Sequence, residues 1–583
     1  MTEPNTIANN YLFEHARHRK LTFKHDFEVI YPWWRRCKLR VLLITDGGLS
    51  FGMDDFGLSA FVNILINDRP WYADFEITLA HLRSNVSPAD MMQGAAGIAR
   101  RITGFRFDEP THFDENMYDQ VWMFGVETYF HTGSYAQRNG DRARYPVDRL
   151  GNAELVALSR FMDNKGGVFA TGDHAYLGRG LCGSIKRVRN MRLWDSTSSN
   201  NNADEVSMDG ARRNDTNQIG RDAGSQFSDQ SDDVPQTIDL KLYSSWAGFL
   251  RNARYPHPVL CGRNGRIDVL PDHPHEGECR EPPDLNLNYD FDGSVEYPDA
   301  TDGTGKVASE VIAHSHVPAG NNARTSKAAT IAHTFGAISA YDGHRANVGR
   351  VVCDATWHHF INVNLIGIVE GGIFDEFGNP SESPTKHSGF LSSADGLAAL
   401  DKIKNYFTNI AVWIARPSNI SCFRRRFWWD LLYIGRLMEA TLPDPNIKFE
   451  SISTHHFLSI GIQARDVLGR LAGQCQTLEW IFEIPELIEF KPWIIPWDPW
   501  EKGKREIDAP LPVFDPMPLV DLALGAALVG TRQALPYPGE KLDDEEFDKA
   551  LEAGRSAAKQ ALGVARKDLA RSWKEFSRLM HAE

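Results

Sequence analysis

The chain has 583 residues, 42% of them hydrophobic and 11% aromatic, which supplies large packed cores and excludes disorder along its whole length. Its net charge of -14 argues against a nucleic-acid groove as its main business, because phosphate contacts need clustered Lys and Arg. Length alone admits roughly three or four domains, or one large domain with a smaller companion.

The lead, residues 1–37, has no apolar run of the kind a secretory leader needs, and no uncharged stretch of about 18 apolar residues follows it. Seven Cys, at 37, 182, 261, 279, 353, 422 and 475, form no CxxC pair. Free thiols in a reducing, cytoplasmic setting are therefore expected, for a protein without membrane contact.

RVLLIT (40–45) is a β-rich run that ends in Asp46, Gly47 and Gly48, a strand followed by a permissive turn. LSAFVNILI, from residue 58, has helical spacing; FEITLAHL (75–82) and YDQVWMFGV (118–126) read as strands. ELVALSRFMDNKGG, from residue 154, is an amphipathic helix stopped by a Gly pair. It delivers the chain into GGVFATGDHAYLG (166–178), which reads as strand, sharp turn and helix. Strands that alternate with helices predict an α/β fold, a doubly wound and mostly parallel sheet, spanning residues 38–400.

Residues 195–236 shift to Asp, Asn, Ser and Gly, and open an insertion that extends to 305 and reads as a lid. A helical piece is expected over 243–250. A hairpin is expected at Asn264 and Gly265, where both turn residues need positive φ. VASEVIAHSHV (307–317), AATIAHTFGAISAYD (328–342) and GRVVCDATWHHF (349–360) read as further strands. Beyond residue 401 the pattern is helical: KNYFTNIAVWI, the segment 427–442, HHFLSIGIQARDVLGRLAG, PLVDLALGAALVG and the charged stretch 542–580. Asp430, Arg436 and Glu439 interrupt the 427–442 segment, which reads as a buried amphipathic helix and not a membrane span. A Pro- and Trp-rich connector, 491–518, joins the later helices.

Four constellations carry the chemistry. In a parallel sheet the carboxyl ends of the strands open into the ligand crevice, so Asp173 and His174 fall at its mouth; the plain alternative is a helix cap beside a packing histidine. TWHHF (356–360) ends a late strand with His358 and His359, which would point to opposite faces if the strand continued. PDHPHEGE (271–278) holds His273, His275 and Glu276, and His-x-His puts two imidazoles on one side as a metal requires. His314 and His316 repeat that spacing. NYDFDGSVEYPD (288–299) approaches a calcium-loop pattern, with Asp at its last position where a bidentate Glu is usual. GRGLCG (178–183) satisfies GxGxxG but begins several residues past the strand, so no nucleotide cofactor is expected. The basic run KRVRNMR (186–192) either holds an anionic substrate group or forms ion pairs with the acidic insertion.

The strand RVLLITDGG, the elbow GGVFATGDHA and the late strand GRVVCDATWHH together resemble the class I glutamine-amidotransferase-like superfamily, and within it the trehalose-utilisation (ThuA-like) branch. The resemblance covers about residues 38–370. It implies a flavodoxin- or amidotransferase-like sheet, with a Gly-x-His elbow where amidotransferases keep a nucleophilic Cys; His174 matches that place, and His358 or His359 matches the histidine of the late strand. Cys182 lies well past the elbow, which disfavours thiolate chemistry.

The leading expectation is a hydrolase of a small polar substrate, cleaving an amide or glycosidic bond, with Asp46, Asp173, His174 and Glu276 in the catalytic set. A divalent metal (zinc, manganese or iron) would be held by His273, His275, His358 and His359. The competing expectation is a catalytically silent ligand sensor or scaffold that self-associates or meets a partner through its helical C-terminal region.

Overall fold

The computed structural model describes residues 37–46, 49–125, 150–172, 178–194, 236–246, 252–262, 265–271, 278–317, 333–367, 389–391, 393–433, 446–472, 494–497, 517–535 and 543–580. The expected lid over 195–235 and most of the Pro- and Trp-rich connector lie outside these residues. The chain runs β1 (Cys37–Thr45), α1 (Ser59–Asn67), β2 (Ala73–His81), β3 (Ile98–Thr103), β4 (Gln120–Gly125), α2 (Asn152–Asp163), β5 (Gly167–Gly172), α3 (Arg179–Cys182) and α4 (Val188–Met191). Short strands follow: β6 (Gln236–Thr237), β7 (Asp239–Leu240), β8 (Leu242–Trp246), β9 (Asn252–Pro256), β10 (Cys261–Gly262), β11 (Gly265–Arg266) and β12 (Val269–Leu270). Then come β13 (Ser309–Val317), β14 (His333–Tyr341), β15 (Val351–Asp354) and α5 (Asn362–Ile366).

Nine strands form one sheet in the order β3-β2-β1-β4-β5-β15-β14-β13-β7. The first six are mutually parallel, and β14, β13 and β7 are added antiparallel at one side. The protein is thus an α/β fold with a mostly parallel central sheet. Strand order reverses between β1 and β4, and in parallel sheets ligands bind outside the carboxyl ends of the strands at such a reversal.

Side chains alternate across the pleat, and both faces are buried. Leu39, Val41 and Leu43 of β1 enter one apolar cluster while Leu42 and Ile44 enter the other. Trp122 and Phe124 divide from Val121 and Met123 in the same way, which is why these strands read as continuous apolar runs. On the first face Phe61 of α1 meets Trp122, Phe124, Phe360 and Phe407 edge-on or tilted. The second face is covered by α2 and by apolar residues between Leu181 and Val307.

The helical region completes the first face. Helix α6 (Ala394–Trp413), capped by Ser393 Oγ accepting from the Gly396 amide at 2.9 Å, packs on the sheet, and Gln120 donates to the Ala411 carbonyl at 3.0 Å. The expected division at 400/401 falls inside this helix. Helix α7 (Pro417–Tyr433) is tied to β1 by the Cys37–Cys422 disulfide, Cα to Cα 6.0 Å, and by Asn419 donating to the Lys38 carbonyl. Helices α8 (Thr454–Ala472), α9 (Met517–Ala534) and α10 (Asp544–Met580) follow. A Cβ at Gly461 would lie 1.6 Å from the Asp521 carbonyl oxygen, so α8 and α9 touch backbone to backbone.

Three expectations are corrected. Residues 242–246 form strand β8, paired with β9 and with Ile494–Trp497 (β16), not a helix; a partner some 250 residues away in sequence overrides local spacing. The segment 357–359 is a 3-10 turn beyond β15 and not a continuation of the strand, because the Thr356 hydroxyl accepts from the His358 amide and starts a new turn. The cysteines are not all free: Cys37 and Cys422 are joined, and Cys261 is disulfide-bonded as well, while Cys182, Cys279 and Cys353 are free and buried. Disulfides persist in oxidising compartments, so the cytoplasmic expectation loses the support it drew from free thiols. Among the described residues no helix is long and apolar enough to cross a membrane.

Candidate functional site

The carboxyl ends of the parallel strands bring a row of polar groups to the face that carries Phe360. In parallel pairing, Cα partners share a face, and the registers Thr45↔Phe124 and Phe124↔Thr171 run across β1, β4 and β5. The pair Cys353↔Ala170 then sets Asp354 beside Thr171. All three polar members of the row, Thr45, Thr171 and Asp354, are fully buried, as is Asp46, the residue after β1.

Asp354 is the hub. Its Oδ1 accepts from the Thr356 amide at 3.1 Å and faces His359 Nδ1 at 2.8 Å, and its Oδ2 accepts from the Tyr406 hydroxyl of α6 at 2.6 Å. A carboxylate only accepts, so His359 Nδ1 is the protonated nitrogen and Nε2 the basic one. Burial, reinforced by the Asp354 charge, pushes the Tyr406 phenol well above its ordinary value, so it remains a donor. The sequence produces this locally: β15 stops at Asp354, and the 3-10 turn at 357–359 swings His359 back toward the strand end, with only His359 of the histidine pair fully buried.

Neighbouring segments are fixed to the same rim. Asn362 accepts from the Ala60 amide at 2.8 Å and donates to the Gly52 and Asp54 carbonyls at 3.1 and 2.7 Å, tying the loop after β1 to the chain that leaves β15. At the end of β2, His81 Nδ1 accepts from the Arg83 amide, so Nε2 donates to the Leu49 carbonyl at 3.1 Å. Buried Arg192 braces the residue after the hub, donating through Nε and Nη2 to the Ala355 carbonyl at 3.0 and 2.8 Å. A Cβ at Gly125 would lie 2.7 Å from Gly178 Cα, and Gly178 itself has φ +88°, so glycines let the returning chain lie directly on the ends of β4 and β5. Among the described residues, buried Thr171 Oγ1 and Trp357 Nε1 in this region have no hydrogen-bond partner.

Asp46 sits at the end of β1, close enough to Cys182 for its charge to help raise that thiol, after burial, well above the ordinary value. Burial does the same to Cys353 and carries Cys279 to about 12. These free cysteines are therefore protonated and poor nucleophiles.

Of the residues expected in the site, Asp46 and His359 lie at strand ends on this rim, and His358 is half-buried with its ring against Trp357. Asp173, His174, His273, His275 and Glu276 lie outside the described residues. Asp354 and Tyr406 were not singled out. An Asp five residues before a His was a legible signal; the tyrosine, 52 residues downstream of the Asp, left none. No group of three or more His, Cys, Asp or Glu among the described residues could hold a metal ion.

The chain matches no protein-family model, no curated protein and no solved structure.

The acidic loop 288–299 lies elsewhere, against the basic run 186–192. Fully buried Glu296 accepts from the Arg187 amide at 2.7 Å and from Arg189 Nη2 at 2.8 Å, and Asp290 pairs with Arg189 at 2.5 Å. Lys186 and Arg187 both reach Asp163 at 2.7 Å. A side-chain cation thus meets Asp290 and Glu296, two of the six residues on which the calcium expectation rests. The basic run forms ion pairs, with this loop and α2 as its partners among the described residues.

Proposed function

We propose that the protein is a hydrolase of a small polar substrate, cleaving an amide or glycosidic bond at the carboxyl edge of the parallel sheet. The observation that carries this reading is the buried Asp354–His359 contact at 2.8 Å, with Tyr406 on the second carboxylate oxygen. A carboxylate on Nδ1 fixes the tautomer and stabilises the imidazolium, which makes Nε2 suited to take a proton from water. The water oxygen would then bond to the carbon of the scissile bond, and His359 would return the proton to the leaving group. Asp173 and His174 follow directly after β5, the strand beside β15, and belong to the same proposal.

The three motifs behind the likeness to the class I amidotransferase-like superfamily and its ThuA-like branch fall on β1, β5 and β15, all members of the parallel part of one sheet. That arrangement supports the resemblance. The described residues do not by themselves make a metal site. Zinc, manganese or iron bound with the help of His273, His275, His358 or His359 is the metal-dependent form of the proposal, and elemental analysis of purified protein tests it.

The decisive experiment is hydrolysis of a panel of amides and glycosides by the wild-type protein and by His359→Gln. Activity lost about 10²–10⁴-fold in a folded variant supports the general base; a panel activity that His359→Gln leaves intact rejects it. Full burial of Asp354 and His359 also favours a second reading, in which the pair only anchors the corner of a silent ligand-sensing scaffold. In that case His359→Gln lowers the melting temperature, and no hydrolysis of the panel is found.

A further inference from the structure

The last helix changes character half-way along. In its first half one face is buried, through Phe547, Ala550, Gly554, Ala557, Ala558, Ala561 and Ala565. From Arg566 to Met580 no residue is buried, yet the apolar stripe continues on the same side through Leu569, Trp573, Phe576 and Met580, spaced four, three and four residues apart. These side chains are 46%, 65%, 54% and 66% exposed, and Leu579 beside them is 73% exposed. At 1.5 Å per residue the bare section, 566–580, is about 21 Å long.

We propose that a second copy of this chain covers the stripe, the two bare sections pairing antiparallel. Spacing of four, three and four is the seam of a two-stranded coil, with Leu569 and Phe576 at one core position and Trp573 and Met580 at the other. The flanking positions that would face the partner are Ala570, Ser572, Ser577 and Leu579, small or apolar and uncharged, so nothing there repels a like helix. Arg571, Lys574 and Arg578 fall on the opposite side.

Charge selects the direction. The section 566–580 has five basic and two acidic side chains, a net +3, which leaves -17 for the rest of a chain of net -14. Antiparallel pairing brings each basic tip toward the acidic body of the other copy, whereas parallel pairing sets the two tips together. Two aromatic side chains bring roughly 150–250 Å² each to the contact, a large share of the ~800 Å² per partner of a stable interface.

Sedimentation of the full chain at micromolar concentration tests the proposal. A dimer is expected, and Trp573→Glu combined with Phe576→Glu is expected to weaken it at least tenfold while leaving the circular dichroism of the body in place. A monomeric wild type overturns the proposal, whether the stripe is then covered by the chain's own segments or binds phosphatidylserine vesicles. A dimer indifferent to the double variant overturns it as well. Ser572→Cys lies near the midpoint of the pair and is expected to cross-link to its own counterpart; Met580→Cys is not, and its cross-linking overturns the antiparallel direction.

Discussion

The loop at 288–299 and the corner at 354–360 both bury a carboxylate completely, and they differ in what answers its charge. Glu296 meets the Arg189 guanidinium, which stays charged across the whole physiological range, and the Arg187 backbone amide, so that region is permanently neutralised. Asp354 meets an imidazole, a group that can carry its proton on either nitrogen, and a phenol that stays a donor. The first arrangement clamps two segments about a hundred residues apart in sequence. The second holds a proton at a chosen atom at the edge of a parallel sheet. On the proposed reading, acidic residues alone do not separate a structural region from a reactive one; the identity of the counter-group does.

The contrast is broken most directly by Asp354→Asn. The amide cannot stabilise an imidazolium, so the hydrolytic rate is expected to fall about 10²–10⁴-fold, while Glu296 variants keep their rate per folded molecule. Equal rate losses in the two regions would erase the distinction. Glu296→Gln is next in size: it leaves the half-buried Arg189 guanidinium with only Asp290 as a carboxylate partner among the described residues, and is expected to cost about 3 kcal/mol, read as a lowered denaturation midpoint. A midpoint unchanged within error would show that the loop is not clamped by its ion pairs.

A third buried group sharpens the comparison. His257 lies against Trp413, with ring centroids 4.6 Å apart, and burial lowers its pKa from 6.5 to about 4. The unfolded chain therefore binds a proton below about pH 6.5 that the folded chain refuses. Stability is expected to fall as pH drops from about 6.5 to about 4, by on the order of 3 kcal/mol in all, and then to level off for this group. His257→Gln should flatten that part of the profile; an unchanged slope would assign the acid sensitivity to other groups. The smallest effect is expected at Thr171, whose buried hydroxyl lacks a partner. Thr171→Val should leave stability equal or raise it by up to about 1 kcal/mol, and a fall beyond 2 kcal/mol in a denaturant titration would mean that the hydroxyl is hydrogen-bonded after all.

The amino-acid order by itself determined the parallel strands and their helices. RVLLIT, YDQVWMFGV and GGVFATG are apolar on both sides of the pleat, a pattern that only a sheet covered on two faces can bury, and Gly pairs and polar turns punctuate them. It also marked the end of β1 at Asp46 and the histidines that follow β15, since β-rich runs that stop at polar residues are readable locally. Tertiary structure alone decided the rest. Strand β8 pairs with residues 494–497, Cys37 joins Cys422 across 385 positions, and Tyr406 reaches Asp354 from a different helix. The physical reason is one of range: backbone periodicity is set by the nearest few residues, whereas the partner of a buried carboxylate or a strand edge is whichever distant group folding brings within hydrogen-bond distance.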